Sequence, residues 1–316
     1  MAQTPWIIFL VIYAALLFTD LIVLNRQHRA MSVAQANKWA LVWIAIGMSF
    51  GFVVYFFARQ GDLETTSGQT ALFQYWSGYL IELALSFDNV FVILIILRYF
   101  QISQDYYHRV LFWGIAGAIV FRGLLIGAGL WLVHLFEWVN YIFAAIILYT
   151  AYGMLKPQEE NIRMEENRTV LFLKKLFPIT KGHHGHHFFI RRMNITAATP
   201  LFISLIVIEV TDILFAFDSI PAVLTISRDP FVVFASNLFA VLGLRALFFV
   251  VANLIESFYY LHYSLVFILV FIAIKLIGNQ WIHLPEWLSL GIILVALASG
   301  ILYSKYKERN SSLPDK

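Results

Sequence analysis

The sequence predicts an all-α polytopic membrane protein of about nine transmembrane helices, and three observations carry that expectation. The chain of 316 residues is 60% hydrophobic and only 13% charged, where an ordinary soluble domain carries about 25% charge. Its mean hydropathy is +0.76. The apolar residues fall in continuous runs close to the roughly 20 residues that let an α-helix cross about 30 Å of hydrocarbon. The runs do not alternate in polarity, which sets a β-barrel aside, so the spanning backbone must be satisfied as helix.

Nine such runs follow one another: Trp6 to Leu24, Trp39 to Phe57, Phe73 to Leu97, Val110 to Leu135, Trp138 to Leu155, Ala198 to Ile226, Phe231 to Ile255, Tyr260 to Trp281 and Trp287 to Tyr303. The first has no basic region before it and no small-residue cleavage pattern after it, so it reads as a retained helix rather than a signal peptide. Lys and Arg gather in cytoplasmic loops. With the N-terminus outside and the C-terminus cytoplasmic, Arg26, Arg29, Lys38, Arg98, Arg109, the basic residues from Lys156 to Arg192 and those of the tail all fall inside. Only Arg59 and Arg228 fall outside. The net charge of +3 reflects those loops and carries no nucleic-acid reading; the lipid bilayer is the partner. With no cysteine in the chain, disulfides, thiol catalysis and thiolate metal sites are all excluded.

The polar stretch from Lys156 to Asn194 divides the chain into two similar halves. Its first half carries Glu82 and, six residues on, Asp88-Asn89; its second carries Asp212 and, six residues on, Asp218-Ser219. Each motif helix is followed by a helix holding one arginine, Arg122 in the first half and Arg245 in the second. This implies two three-helix repeats, about 73–156 and 198–281, joined by a cytoplasmic loop of about 157–197 and all belonging to one transmembrane domain. The odd number of spans in each unit turns the second copy over, as in many secondary transporters with ion sites near the midplane. Helix breaks are expected at the Asp-Asn and Asp-Ser steps and at Pro221, with Asp88 facing Asp218.

An ionised carboxylate at the bilayer centre costs about 2.5–3.5 kcal/mol, so each one needs a partner or a function. Glu82, Asp88, Glu209, Asp212 and Asp218 lie within the apolar runs, with Asp20 near the inner end of the first. As structural salt bridges they would pair with Arg122, Arg245 and Lys275. Five acids against three bases leave a surplus that a divalent cation, protons, or the two in alternation would relieve. Asn89, Ser219 and Asn237 add neutral oxygens. A donor set of oxygens favours manganese, calcium or magnesium over zinc or copper. The run His183-His184-Gly185-His186-His187 reads first as a solvated loop and second as a metal-sensing segment.

The strings Ala-Leu-Ser-Phe-Asp88-Asn89-Val90 and Phe215-Ala-Phe-Asp218-Ser219-Ile220-Pro221-Ala222, with Asp229-Pro230-Phe231, Ser236-Asn237-Leu238-Phe239 and Gly243-Leu244-Arg245-Ala246, resemble those of the TerC family, closest to its Alx branch. The resemblance implies a bacterial inner-membrane protein linked to manganese efflux and, by name, to tellurium resistance. An acidic pathway opposes an oxyanion, so tellurium resistance is expected to be indirect. One departure is Gly153, where a lysine resembling Lys275 is expected. The leading expectation is therefore alternating-access export of manganese(II), with proton exchange. The alternative is a membrane scaffold acting through its cytoplasmic loop. No nucleophile-base pair, phosphate loop or cofactor motif appears, so neither an enzyme nor a bound cofactor is expected.

Overall fold

The computed structural model describes residues 3–25, 33–65, 67–136, 138–155, 187–192, 195–254, 261–278 and 284–311. They form α1 (Gln3–Asn25), α2 (Val33–Gln60), α3 (Gly68–Tyr99), α4 (Tyr107–Leu135), α5 (Val139–Leu155), a hairpin of β1 (Phe189–Arg192) and β2 (Ile195–Ala198), α6 (Pro200–Leu224), α7 (Pro230–Leu254), α8 (Leu261–Gly278) and α9 (Glu286–Ser311). Among the described residues, six stretches are long and apolar enough to cross a membrane: Gln3–Asp20, Ala34–Gln60, Tyr107–Val133, Pro200–Leu224, Pro230–Val250 and Trp287–Ser304. Tyr141–Leu155 and Tyr263–Gly278 are shorter apolar helices. Leu41, Leu124, Val295 and Leu302 point out of the bundle. An apolar exterior over an equally apolar core is the mark of a protein solvated by lipid.

Local signals set the helix starts. Ser67 caps α3 by accepting from the Thr70 N–H. Thr199 caps α6 with Pro200 in its first turn, where a missing N–H costs nothing. Asp229 caps α7, its Oδ1 accepting from the Phe231 N–H at 2.9 Å and the Val232 N–H at 3.3 Å. Its Oδ2 accepts from the Thr65 N–H at 2.9 Å, which ties the start of α3 to the turn between α6 and α7. Asp229→Ala is expected to lose cap and tie together, at about 1–2 kcal/mol. Thermal unfolding in detergent reads this, with Asp229→Asn falling between the variant and the wild type.

Helix α7 is the axle of the fold. It packs along α3 and α2 on one side and α4 on another, while α4 packs on α6 and α5 on α8. Aromatic rings seal α1, α2 and α7 together: Phe50 stacks on Phe239 at 4.3 Å between centroids, with Phe9 and Phe231 around them. Glycines set the closest approaches. A Cβ at Gly78 of α3 would stand 2.9 Å from Ser236 Oγ of α7 and 3.3 Å from Val223 Cγ1 of α6. The Thr65–Asp229 tie and this contact together fix α3 as parallel to α7 and antiparallel to α6. On the other side, Gly114 meets Ile208 and Gly129 meets Leu224, so α4 and α6 run parallel.

Two sequence expectations are corrected. Helices α3 and α6 run unbroken through Asp88-Asn89 and Asp218-Ser219. Pro221 sits within the last turn of α6, where its missing N–H and ring disturb only one turn, and the Thr225 N–H closes onto the Pro221 carbonyl at 3.2 Å. The loop between the repeats also contains the short antiparallel hairpin, pairing Phe189 with Ala198 and Ile190 with Ala197. It is anchored by Thr199 Oγ1 donating to the His187 carbonyl at 2.8 Å and by the Phe189 ring against Phe202. Residues 156–186, with the first four positions of the histidine run, lie outside the described residues.

Candidate functional site

Arg122, in the middle of α4, is fully buried. Its Nε and Nη2 donate to Asp212 Oδ2 and Oδ1 of α6 at 3.1 and 2.9 Å, a two-pronged fork that matches the planar guanidinium to the carboxylate. Its Nη1 makes an ion pair with Glu82 of α3. With its amide turned to suit its neighbours, Asn89 accepts from Arg122 Nη2 at 3.2 Å and donates to the Leu85 carbonyl at 3.3 Å. Glu82 and Asn89 are seven residues apart, two turns along one face of α3, so one guanidinium can reach both. Two carboxylates on one guanidinium leave this group with a formal charge of −1.

Glu209, one turn before Asp212, sets its carboxylate against Gly117 of α4, where any side chain would overlap it. The Glu209 Oε2 is buried with no hydrogen-bond partner. Other buried oxygens on the packed helices make no hydrogen bond among the described residues: Glu82 Oε2 and Ser86 Oγ of α3, Ser219 Oγ of α6 and Asn237 Oδ1 of α7. Such groups are costly to leave unmet and ask for a water or a cation. From α1, buried Tyr13 lies within electrostatic reach of Arg122 and of Asp20, itself buried.

The structure thus brings Glu82, Asn89 and Asp212 together on Arg122, with Glu209 beside them. Asn237 lies on α7 and donates to the Val233 carbonyl at 3.3 Å. Lys275 is elsewhere: it occupies the last turn of α8 and lines a cavity at the end of the bundle, not the Arg122 group. Asp88, Asp218 and Arg245 lie on α3, α6 and α7, and their side chains are outside the described part of the structure. The backbone corrects one expectation about them. With Gly78 level with Val223 in antiparallel helices, Glu82 comes level with Ser219 and Asp88 with Ile213, beside Asp212. Asp88 and Asp218 are therefore offset by roughly 7 Å along the helices rather than directly opposed. Among the described residues, no three His, Asp or Glu side chains converge on one point that would hold a metal ion.

Sequence reasoning missed Ser86 and Tyr13 as part of this site. Ser86 was recoverable, because it stands one turn beyond Glu82 and just under one turn before Asn89 on the same stripe. Tyr13 left no signal, since nothing in its run shows that α1 leans on α4.

A multi-helix membrane protein with a buried ionic group where α3, α4 and α6 meet is the class that fold and site define. A family profile described as "Integral membrane protein TerC family" matches residues 67–312, from the cap of α3 to the end of α9. The chain belongs to the TerC family. It is 40% identical over 299 residues to an "Uncharacterized membrane protein" of Rickettsia bellii, covering 95% of this chain and 96% of that one. It is also 39% identical over 289 residues to the "Putative membrane-bound redox modulator Alx" of Escherichia coli K12, covering 91% and 90% of the two chains. A protein of the same name from Photorhabdus laumondii is 38% identical over 307 residues, covering 96% of each. No solved structure matches the chain.

Proposed function

We propose that this protein carries a divalent cation, manganese(II) before calcium or magnesium, across the bacterial inner membrane by alternating access, with protons as the exchanged ion. The observation that carries the reading is the charge imbalance buried between α3, α4 and α6. Among the described side chains, Glu82 and Asp212 share the single guanidinium of Arg122, and Glu209 stands one turn before Asp212 against Gly117. An uncompensated charge in a bilayer-spanning bundle is too costly to be idle. In this reading Arg122 offsets one of the two acids while the site holds no metal, and the cation displaces it from Asp212. Asp88, Asp218, Asn89, Ser219 and Asn237 complete a set of oxygen donors suited to a hard cation.

The nine-span topology, with the N-terminus outside and the two units α3–α5 and α6–α8 inverted, belongs to the same proposal. Its support is a pairing pattern that survives exchange of the halves. Helix α3 lies parallel to α7 as α6 lies parallel to α4, and the Gly78–Ser236 approach is mirrored within a residue by Gly114–Ile208. The name given to the Alx relatives suggests a redox role. A chain without cysteine has no thiol of its own for one, so such an effect would follow from the metal it moves.

The test is metal flux into proteoliposomes loaded with a manganese-sensitive dye, with and without a pH gradient. Manganese entry that responds to the gradient is the expected result. If no divalent ion moves under any gradient, transport is abandoned in favour of a scaffold acting through the loop.

A further inference from the structure

We propose that the polar cavity at the end of the bundle where α3 begins is the vestibule of the Arg122 site, and that one constriction, Val223 set into the notch left by Gly78, separates the two. The cation it would admit rests on the transport reading; the water path does not. The cavity has a volume of about 430 Å³ and is lined by Glu64, Gln74, Thr225, Ser227, Arg228 and Lys275, among others. Asp229 also lines it, but its carboxylate is already committed to three backbone N–H groups. Arg228 and Lys275 offset the two acids, so the described lining of the vestibule carries no charge surplus with which to trap a divalent cation. The surplus lies beyond the constriction, at Glu82 and Asp212.

The geometry below the cavity is what carries the proposal. Gln74 lines it with an Oε1 that is buried and unpartnered. One turn deeper, the absent side chain of Gly78 leaves room that Val223 and Ser236 fill. One further turn down, Glu82 comes level with Ser219, and both are buried with oxygens that have no hydrogen bond. Asn237 follows Ser236 in α7, wholly buried, with its Oδ1 equally unmet. Unmet acceptors therefore stand on both sides of a plug one helical turn thick. A packed apolar core has no use for that arrangement, whereas a hydrated cation shedding and regaining water needs acceptors on each side of its barrier.

The chain has no cysteine, so single-cysteine accessibility can be read without removing any native thiol. S219C is expected to react with methanethiosulfonate ethylammonium in proteoliposomes, and adding V223A to speed that reaction by about tenfold as the closed contact loses two methyl groups. V223T, equal in volume but polar, should act in the same direction and covers the case in which V223A loosens the fold. A222C, buried on the face of α6 that packs with Ile81 and Ile272, should stay slow in every background. The proposal is overturned if neither V223A nor V223T speeds S219C, or if A222C speeds up equally. Acceleration at S219C, with a wild type that moves no manganese, would leave the vestibule standing and remove the transport reading. Manganese flux in the wild type with unchanged S219C reactivity in the V223A and V223T backgrounds would do the reverse.

Discussion

Arg122→Leu is expected to destabilise the protein by about 3–5 kcal/mol, because it strips the counter-charge from two buried carboxylates at once. Glu82 is fully buried, and beyond its ion pair with Arg122 its oxygens have no partner among the described residues. Asp212 loses both prongs of its fork. Thermal unfolding of the purified protein in detergent reads the loss as a lowered midpoint. The triple variant Arg122→Leu, Glu82→Gln, Asp212→Asn removes every charge of the group together and should regain most of the stability, since replacing a whole buried ionic group is far less costly than breaking it. If the single variant melts with the wild type, the guanidinium is not what holds these acids in the bundle. If the triple variant is no better than the single one, packing by the long arginine stem rather than charge explains the loss.

How much of this was legible in the sequence depends on which physics each feature obeys. Helix number and limits follow apolar run length, so the runs around Glu82, Arg122 and Asp212 were drawn nearly as α3, α4 and α6 appear. The six-residue spacing repeated in both halves singled out Glu82 and Asp212, two acids that meet on Arg122. It could not say which base they meet, because Arg122 reaches across two helix interfaces and its partners depend on how α4 is turned. Lys275 depends on a different physics. It lies inside an apolar run by hydropathy, yet it occupies the last turn of α8, where a cation suits the helix dipole and can extend toward the polar end of the bundle. The expected helix breaks failed because α3 and α6 continue through the Asp-Asn and Asp-Ser steps, and Pro221, near the end of α6, withholds a donor only from the carbonyl one turn back. The hairpin at Phe189–Ala198 was hidden by its charged setting, as its strands are four residues each and it is anchored through Thr199, whose contact with the His187 carbonyl leaves no mark in the sequence.

Asp212→Asn should separate stability from transport in a way a purely structural acid would not. The substitution takes the Arg122 group from a formal charge of −1 to neutral while leaving Glu82 paired with the guanidinium. The new amide oxygen can still accept one of the two Arg122 bonds, so the thermal midpoint should stay within about 1 kcal/mol of the wild type. Manganese flux should nevertheless fall by at least about 100-fold, since a neutral group on this side gives Arg122 no reason to yield to a divalent cation and removes a charged oxygen ligand. Asp88→Asn, which comes level with Asp212 on the facing helix, should lose flux to a similar extent with the fold equally intact. Flux is counted per folded protein, using the monodisperse fraction from gel filtration for reconstitution. A variant that melts early but transports normally per folded molecule would make Asp212 a strut. A stable variant that no longer moves manganese would make its carboxylate part of the ion's path, and would explain why an arginine with so many donors is kept at the centre of an apolar bundle.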